Sequence, residues 1–556
     1  MRLESRYTPI SNPRDVVSRS TNTDPSSDSE EDSEPSRTDE NSPYSMTEQQ
    51  LAARALKKRR GRFGKQLHVC ITVTLGSISA GYVIGSVCPK IRDQYNANEG
   101  HYNPDYALFA TIVSAGLAVG NFCMSIVSMV RGPRRLMLIT APLNASSWLL
   151  IQIMKTVKYQ KVGMFFCAFF SISYIRCGSL LLTDGIHEDY YYFFNLIFQT
   201  GYGFGMMLGH LFGFHHLLDY YSDALGAIIL TALFIALLFC RESPVALYHK
   251  SPLKAQEALI ALRGRDEIQV LMRQISRDHE ARVLTIGTKY IFVYHVVYKS
   301  MIIITTLAVL QCFYAYHIFI MFDISMWYTS TRFKMVDIFG EFHDGMVYGV
   351  AYYIVPFISG SLNLRMVFGL RKPVMASAIT VPFVLVMHSV YYYVLFHTDY
   401  LNNVMWLSFA IRILHIICVN FSSSWSLDVM ISDYLPEQVQ IWAYIGVYTI
   451  KYGMFSFLFW LSFMLENLLG ASVIIGIFAL VSFAGIPFCY FYIVECKGRT
   501  LQQLQLAIGG NPIGSRNSFR CRYQNYLTRW RKFKQIERES RLAGSKIEPR
   551  FEEIYL

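Results

Sequence analysis

Charge is scarce in this chain. Only 16% of its 556 residues are Asp, Glu, Lys or Arg, whereas 53% are hydrophobic and 15% aromatic. A soluble protein of that length needs a charged surface over its core, and the little charge present is gathered into a few segments. A soluble globular domain is therefore excluded. Reaction chemistry is missing too. The sequence has no phosphate-cradling glycine loop, no zinc-ligand spacing and no nucleophile elbow. Nothing points to an enzyme, and nothing calls for a cofactor or a metal. The eleven cysteines form no spaced metal or redox pair. Cys70, Cys123, Cys167, Cys312, Cys418 and Cys489 fall inside apolar runs and read as small buried hydrophobes.

What the chain has in quantity is long apolar runs. Each is about twenty residues, enough at roughly 1.5 Å per residue to cross a ~30 Å hydrocarbon core. Spans are expected near 67–88, 106–129, 136–154, 162–183, 191–214 and 222–240, then near 296–322, 345–364, 373–397, 403–432, 438–464 and 470–493. The fold class is thus an all-α polytopic membrane protein of twelve transmembrane helices in two six-helix bundles. Residues 1–65 form a polar N-terminal tail expected to be disordered and cytoplasmic, with no cleavable signal, so that the first span acts as one. The first bundle takes 66–240, a helical cytoplasmic linker 241–290, the second bundle 291–494, and a basic cytoplasmic tail 495–556.

The formal charge of +11 lies in loops and tails beside apolar spans, which selects an anionic membrane leaflet as partner and argues against nucleic acid. Arg131, Arg134 and Arg135 after span 2, Arg371 and Lys372 after span 8, and the tail put both termini in the cytoplasm, with the plasma membrane the expected location; Lys155, Lys158 and Lys161 disagree. Basic residues of the tail from 513 onward interleave with aromatic ones, as in Phe519, Arg522, Tyr523, Trp530 and Lys532, a composition suited to anionic lipid. Arg131-Gly132-Pro133-Arg134-Arg135 has a counterpart in Gly369-Leu370-Arg371-Lys372-Pro373. The same basic turn at the same place in each half marks a repeated six-helix unit. Asn144 and Asn420 head glycosylation patterns but lie within spans, and Tyr190–Tyr192 and Tyr391–Tyr393 read as interfacial belts.

Two cytoplasmic motifs resemble those of a known family. Arg241-Glu242-Ser243-Pro244, with Lys254-Ala255-Gln256-Glu257-Ala258-Leu259 and Leu262-Arg263-Gly264, is similar to the segment after span 6 of sugar porters. Val494-Glu495-Cys496-Lys497-Gly498-Arg499-Thr500-Leu501 resembles their ending after span 12. Leu75-Gly76-Ser77, Gly81-Tyr82 and Cys88-Pro89 look like the insect facilitated trehalose transporters, and Gln199 with Gly205 resembles the family's span 5. The resemblance covers roughly 66–505. It implies the major facilitator fold, a central cavity between two bundles, and transport of a sugar, polyol or similar small solute by alternating access. It also implies an inner gate in which Asp184, Glu242, Asp433 and Glu495 meet Arg134, Arg135 and Arg371 across the bundles; the alternative is that these groups only cap helices.

The departures from that family are informative. The acid opening each basic turn is replaced by Met129 and Met366, and span 7 reads Gln311-Cys312-Phe313-Tyr314-Ala315-Tyr316-His317. By resemblance Asp428 takes a tryptophan position in span 10 and Lys451 an asparagine position in span 11. Gln199, Gln311, Tyr314, His317, Asp428 and Lys451 are accordingly the candidate substrate-binding residues. Charges at membrane depth usually face a cavity and pair, so an Asp428–Lys451 ion pair is expected. Arg176 in span 4 either faces an anionic solute, pairs with an acid such as Asp428, or braces the backbone. Arg412 and His415 are expected near the interface, and His210, His215 and His216, near the end of span 5, are expected to pack or be solvated rather than to relay protons. Besides sugar transport, carriage of a charged organic solute and a non-transporting sensor or scaffold remain open.

Overall fold

The computed structural model describes residues 63–314 and 369–497, except 88, 91–104, 155, 215–218, 249, 264–267, 284–294, 399–405 and 421–425, together with the pairs 503–504 and 507–508. Every regular element among them is a helix. Six long helices come first: α1 (Phe63–Gly85), α2 (Asp105–Arg131), α3 (Pro133–Ile153), α4 (Val157–Gly185), α5 (Glu188–Phe214) and α6 (Asp219–Phe239). Three shorter ones follow in the linker: α7 (Pro244–Tyr248), α8 (Pro252–Arg263) and α9 (Ile268–Val283). The second half supplies α10 (His295–Tyr314), α11 (Arg371–His397), α12 (Trp406–Asn420), α13 (Ser426–Tyr434), α14 (Glu437–Leu469), α15 (Ala471–Phe483) and α16 (Gly485–Tyr492). Eleven of the twelve expected spans thereby meet helices. Span 8, the N-terminal tail before Phe63, and the tail from 513 onward lie outside the described residues.

Among the described residues, eight segments are long and apolar enough to cross a membrane. The long helices outside that set, α5 and α14, are diluted by Gln199, His210, Lys451 and a run of tyrosines, the groups a polar passage needs. The halves repeat their packing. α1 lies on α5 and α3 on α6, as α10 lies on α14 and α11 on α15. The α1–α5 pair shows what small residues permit in a membrane, where apolar side chains gain little by leaving lipid and close backbone contact replaces them. A Cβ on Gly81 would strike the Tyr202 carbonyl, and one on Gly205 the Ile78 carbonyl. Span 12 breaks into α15 and α16 because Pro487 has no N–H for the carbonyl four residues back.

Two expectations about polar aromatic residues need correction. Tyr391 (4% exposed), Tyr392 (1%) and His415 (2%) are buried, not interfacial. His388, Tyr391 and Tyr392 share one face of α11, and the His388 ring lies 5.6 Å from that of His415 on α12. His415 in turn bonds the Tyr314 carbonyl at 3.0 Å. Only Tyr393, on the opposite face, is exposed like a belt residue. His210 is also buried and is held by the Met206 carbonyl at 3.0 Å. The side chains of Tyr192 and Arg412, and residues 215 and 216, lie outside the described residues. Asn144 is fully buried and donates to the Tyr174 hydroxyl at 3.3 Å, which leaves no access for a glycan.

Candidate functional site

α14 carries Tyr444, Tyr448 and Tyr452 four residues apart, with Lys451 beside them, so all project from one side of the helix. Their rings form a ladder: Tyr444 and Tyr448 stack at 6.1 Å, and Tyr448 and Tyr452 follow at 6.2 Å. α13 lays its first turn against this ladder. The Tyr448 hydroxyl donates to the Asp428 carboxylate at 2.6 Å, and the Tyr444 hydroxyl to the Asp428 backbone carbonyl at 3.3 Å. From α10, Gln311 joins the group. Its Nε2 donates to the Ser426 hydroxyl at 2.8 Å, and its Oε1 accepts from the Lys451 ammonium at 3.3 Å. Two sets of bonds, Lys451–Gln311–Ser426 and the tyrosines with Asp428, thus lie side by side across three helices of the second half.

Arg176 enters from the first half. Its guanidinium lies 3.7 Å from the centroid of the Tyr444 ring, a cation–π contact between α4 and α14. Close by, α2 and α14 are sewn together. Asn121 donates to the Ile445 carbonyl at 3.2 Å and to the Thr449 hydroxyl at 3.0 Å, and Ser456 donates to the Thr111 carbonyl at 2.9 Å. The polar network therefore sits where the two halves of the molecule meet. Arg176, Asp428, Tyr448 and Lys451 are half-buried, so a ligand retains a way to them, while Gln311 is buried beneath.

The expected Asp428–Lys451 ion pair is not a direct contact. The carboxylate takes its hydrogen bond from Tyr448, and the ammonium gives its own to Gln311, 5.8 Å from the centroid of the Tyr448 ring. Tyr448 stands between the charges. Tyr314 is also placed differently from expectation. It is only 2% exposed and packs its hydroxyl against Gly485 of α16, inside the second bundle. Gln199 is exposed on α5 and makes no hydrogen bond to the network; His317 lies outside the described residues. The tyrosine ladder and Ser426 were overlooked as site residues, although the spacing 444, 448, 452 was visible as a stripe.

The gating candidates gather at the linker end. Glu242, just past α6, accepts the backbone N–H groups of Arg134 and Arg135 at 2.9 and 3.1 Å. Glu495, just past α16, accepts those of Leu370 and Arg371 at 2.8 and 3.0 Å. Each carboxylate caps the start of a helix, where N–H groups lack intrahelical partners and the dipole favours negative charge. The register differs by one residue because Pro133, at the position of Leu370, has no N–H to give. Both turns need a glycine: Gly132 has φ 95° and Gly369 φ 78°. The arginine side chains complete the symmetry. Arg134 donates to the Leu237 and Leu238 carbonyls at 3.0 and 3.1 Å, and Arg371 to the Tyr490 carbonyl at 2.8 Å. Arg135 is exposed.

These contacts run within each bundle, not across the two as the latch expectation had it. A carboxylate in reach of two free N–H groups of its own bundle is satisfied there. Asp184 accepts from the Ser243 hydroxyl at 2.5 Å, and Ser243 itself caps Ala246 at 3.3 Å. Asp433 accepts from Ser432 at 2.9 Å. At Glu495, partial burial pushes the carboxyl up. Hydrogen bonds from the N–H groups of Lys497, Leu370, Arg371 and Cys496 outweigh that and hold it below the usual carboxylate range.

A repeated pair of membrane bundles, with polar and charged groups collected at their junction, defines a solute carrier. Residues 69–507 match the family of sugar (and other) transporters, and the chain belongs to that family. It is a multi-pass membrane transporter and not an enzyme. Its structure is similar to the inward open conformation of the xylose transporter XylE from E. coli, with a TM-score of 0.61 and 14% identity over 80% of this chain and 99% of that one. The same TM-score, identity and coverage hold for XylE, a major facilitator superfamily proton:xylose symporter, bound to 6-bromo-6-deoxy-D-glucose. The partially occluded inward open form of XylE from E. coli gives a TM-score of 0.60 at 13% identity, covering 79% of this chain and 100% of that one. These likenesses show the major facilitator fold. No sequence among curated proteins is significantly similar.

Proposed function

We propose that this transporter moves a sugar or closely related polyol by alternating access, with the first and second bundles, 66–240 and 291–494, rocking about the network described above. The observation that carries this reading is the Lys451–Gln311–Ser426 chain beside the Tyr448–Asp428 pair. Clustered hydrogen-bond donors and acceptors next to aromatic faces suit a ring of hydroxyls and C–H groups. The family and the sugar-bound XylE structure support the same substrate class. The span 1 residues Leu75-Gly76-Ser77 and Gly81-Tyr82 support trehalose as one solute to try. Uptake of labelled hexose and trehalose into oocytes tests the proposal. Gln311→Ala removes two network bonds and is expected to cut uptake about tenfold at unchanged surface expression. If neither solute enters despite surface expression, the non-transporting reading replaces this one.

The termini are proposed to face the cytoplasm at the plasma membrane, because Arg131, Arg134, Arg135, Arg371, Lys372 and the linker helices share one end of the bundles. Antibody access to terminal tags in intact and permeabilised cells checks this. The basic-aromatic tail is proposed to adsorb to anionic lipid, an interaction that phosphatidylserine vesicles would display and high salt abolish. The gating role proposed for Asp184, Glu242, Asp433 and Glu495 with their arginines is to keep each bundle rigid at its linker end while the two move apart.

A further inference from the structure

The charges at the junction do not balance. Arg176 and Lys451 bring two positive charges, and Asp428 is the acid that faces them, within electrostatic reach of both. No ion pair joins it to either among the described residues. Its carboxylate is bonded to Tyr448 and Lys451 to Gln311. Arg176 contributes its cation–π face to Tyr444, yet none of its five N–H donors has an acceptor among the described residues. A positive charge left over in a half-buried site at membrane depth favours an anion that arrives to share it. Donors without acceptors make the same demand.

We infer that the solute carries a carboxylate as well as hydroxyl groups: a sugar acid of the hexuronate type, with the carboxylate on the Arg176 guanidinium, the Lys451 charge adding to its attraction, and the hydroxyls toward Gln311, Asp428 and Tyr448. A planar guanidinium fork matches a carboxylate bidentately, which a neutral sugar cannot exploit. Asp428 then tunes selectivity. It lowers the site's charge from two to one, so a monoanion balances it, whereas a doubly charged solute leaves one negative charge unbalanced.

This inference rests on the sugar-porter reading, and one experiment separates their fates. The full chain is reconstituted in liposomes, and initial uptake of labelled D-glucuronate, D-glucose and trehalose is compared at equal concentration. Glucuronate is expected to enter at least about tenfold faster than glucose. Arg176→Gln and Lys451→Gln should each bring the glucuronate-to-glucose ratio to within about twofold of unity, and Arg176→Lys should fall between, keeping the charge without the fork. Monodisperse elution of each variant excludes misfolding as the cause. Glucose or trehalose uptake with no glucuronate uptake, or a ratio untouched by both glutamine variants, overturns the inference and leaves sugar transport standing. No flux of any of the three overturns both.

Discussion

Glu495 shows how a single carboxylate can be read as a fastener. Its pKa is held down by backbone N–H groups that exist in this geometry only when the second bundle is folded. The sign of the pH effect follows. A depressed folded-state pKa stabilises above the unfolded value, about 4.3 for glutamate, and that contribution is lost as pH falls through the folded value. The detergent-solubilised protein should therefore lose thermal stability below about pH 4. Glu495→Gln should lower the melting temperature at pH 7 by a few degrees, reflecting about 1 kcal/mol for charge-assisted bonds at a partly solvated site. The variant should also lose part of the acid-side dependence. An unchanged melting curve at both pH values would show that Glu495 fastens nothing.

Helices are where most of the fold was legible in advance, and where the misreadings are instructive. The α1–α5 contact rests on backbone approaching backbone at Gly81 and Gly205. Gly205→Leu has no low-energy accommodation, because the atom it meets is a carbonyl and not a flexible side chain. It should abolish the monodisperse peak on size exclusion, whereas Gly453→Leu on α14, where an added Cβ meets open space, should elute as the parent does. Span positions were readable because apolar length is a local property of the chain. Faces were less so. His388, Tyr391 and Tyr392 look like interfacial residues by type, yet their spacing puts them on the side of α11 that meets α12, and Tyr393 on the side that does not. Glu242 and Glu495 were recognised by motif, but the partner of a carboxylate is decided by which bare N–H groups lie nearest, and that is a tertiary fact. For the same reason Asp428 and Lys451 were expected to pair directly, whereas the contacts that form run from Asp428 to Tyr448 and from Lys451 to Gln311.

At the scale of the whole molecule, the α2–α14 seam is the structural counterpart of the transport cycle. The two helices run antiparallel, and their polar contacts, Thr111 with Ser456 and Asn121 with Ile445 and Thr449, lie from the middle of the bundles toward the end away from the linker. The site network sits beside the lower of these contacts. In a carrier that exposes its site alternately to each side, this end must open in one half of the cycle, and the few neutral hydrogen bonds across it are worth about 1 kcal/mol each, weak enough to exchange. A covalent link in their place should not exchange. Thr111→Cys with Ser456→Cys places two thiols at positions where the Ser456 side chain already reaches the Thr111 backbone carbonyl, so that an oxidant can be used to link α2 to α14. Oxidation should reduce solute uptake by about tenfold or more, and reductant should restore it, while each single cysteine variant responds to neither. Uptake that persists through a verified cross-link would mean that the seam is a fixed joint and that the halves move about some other line.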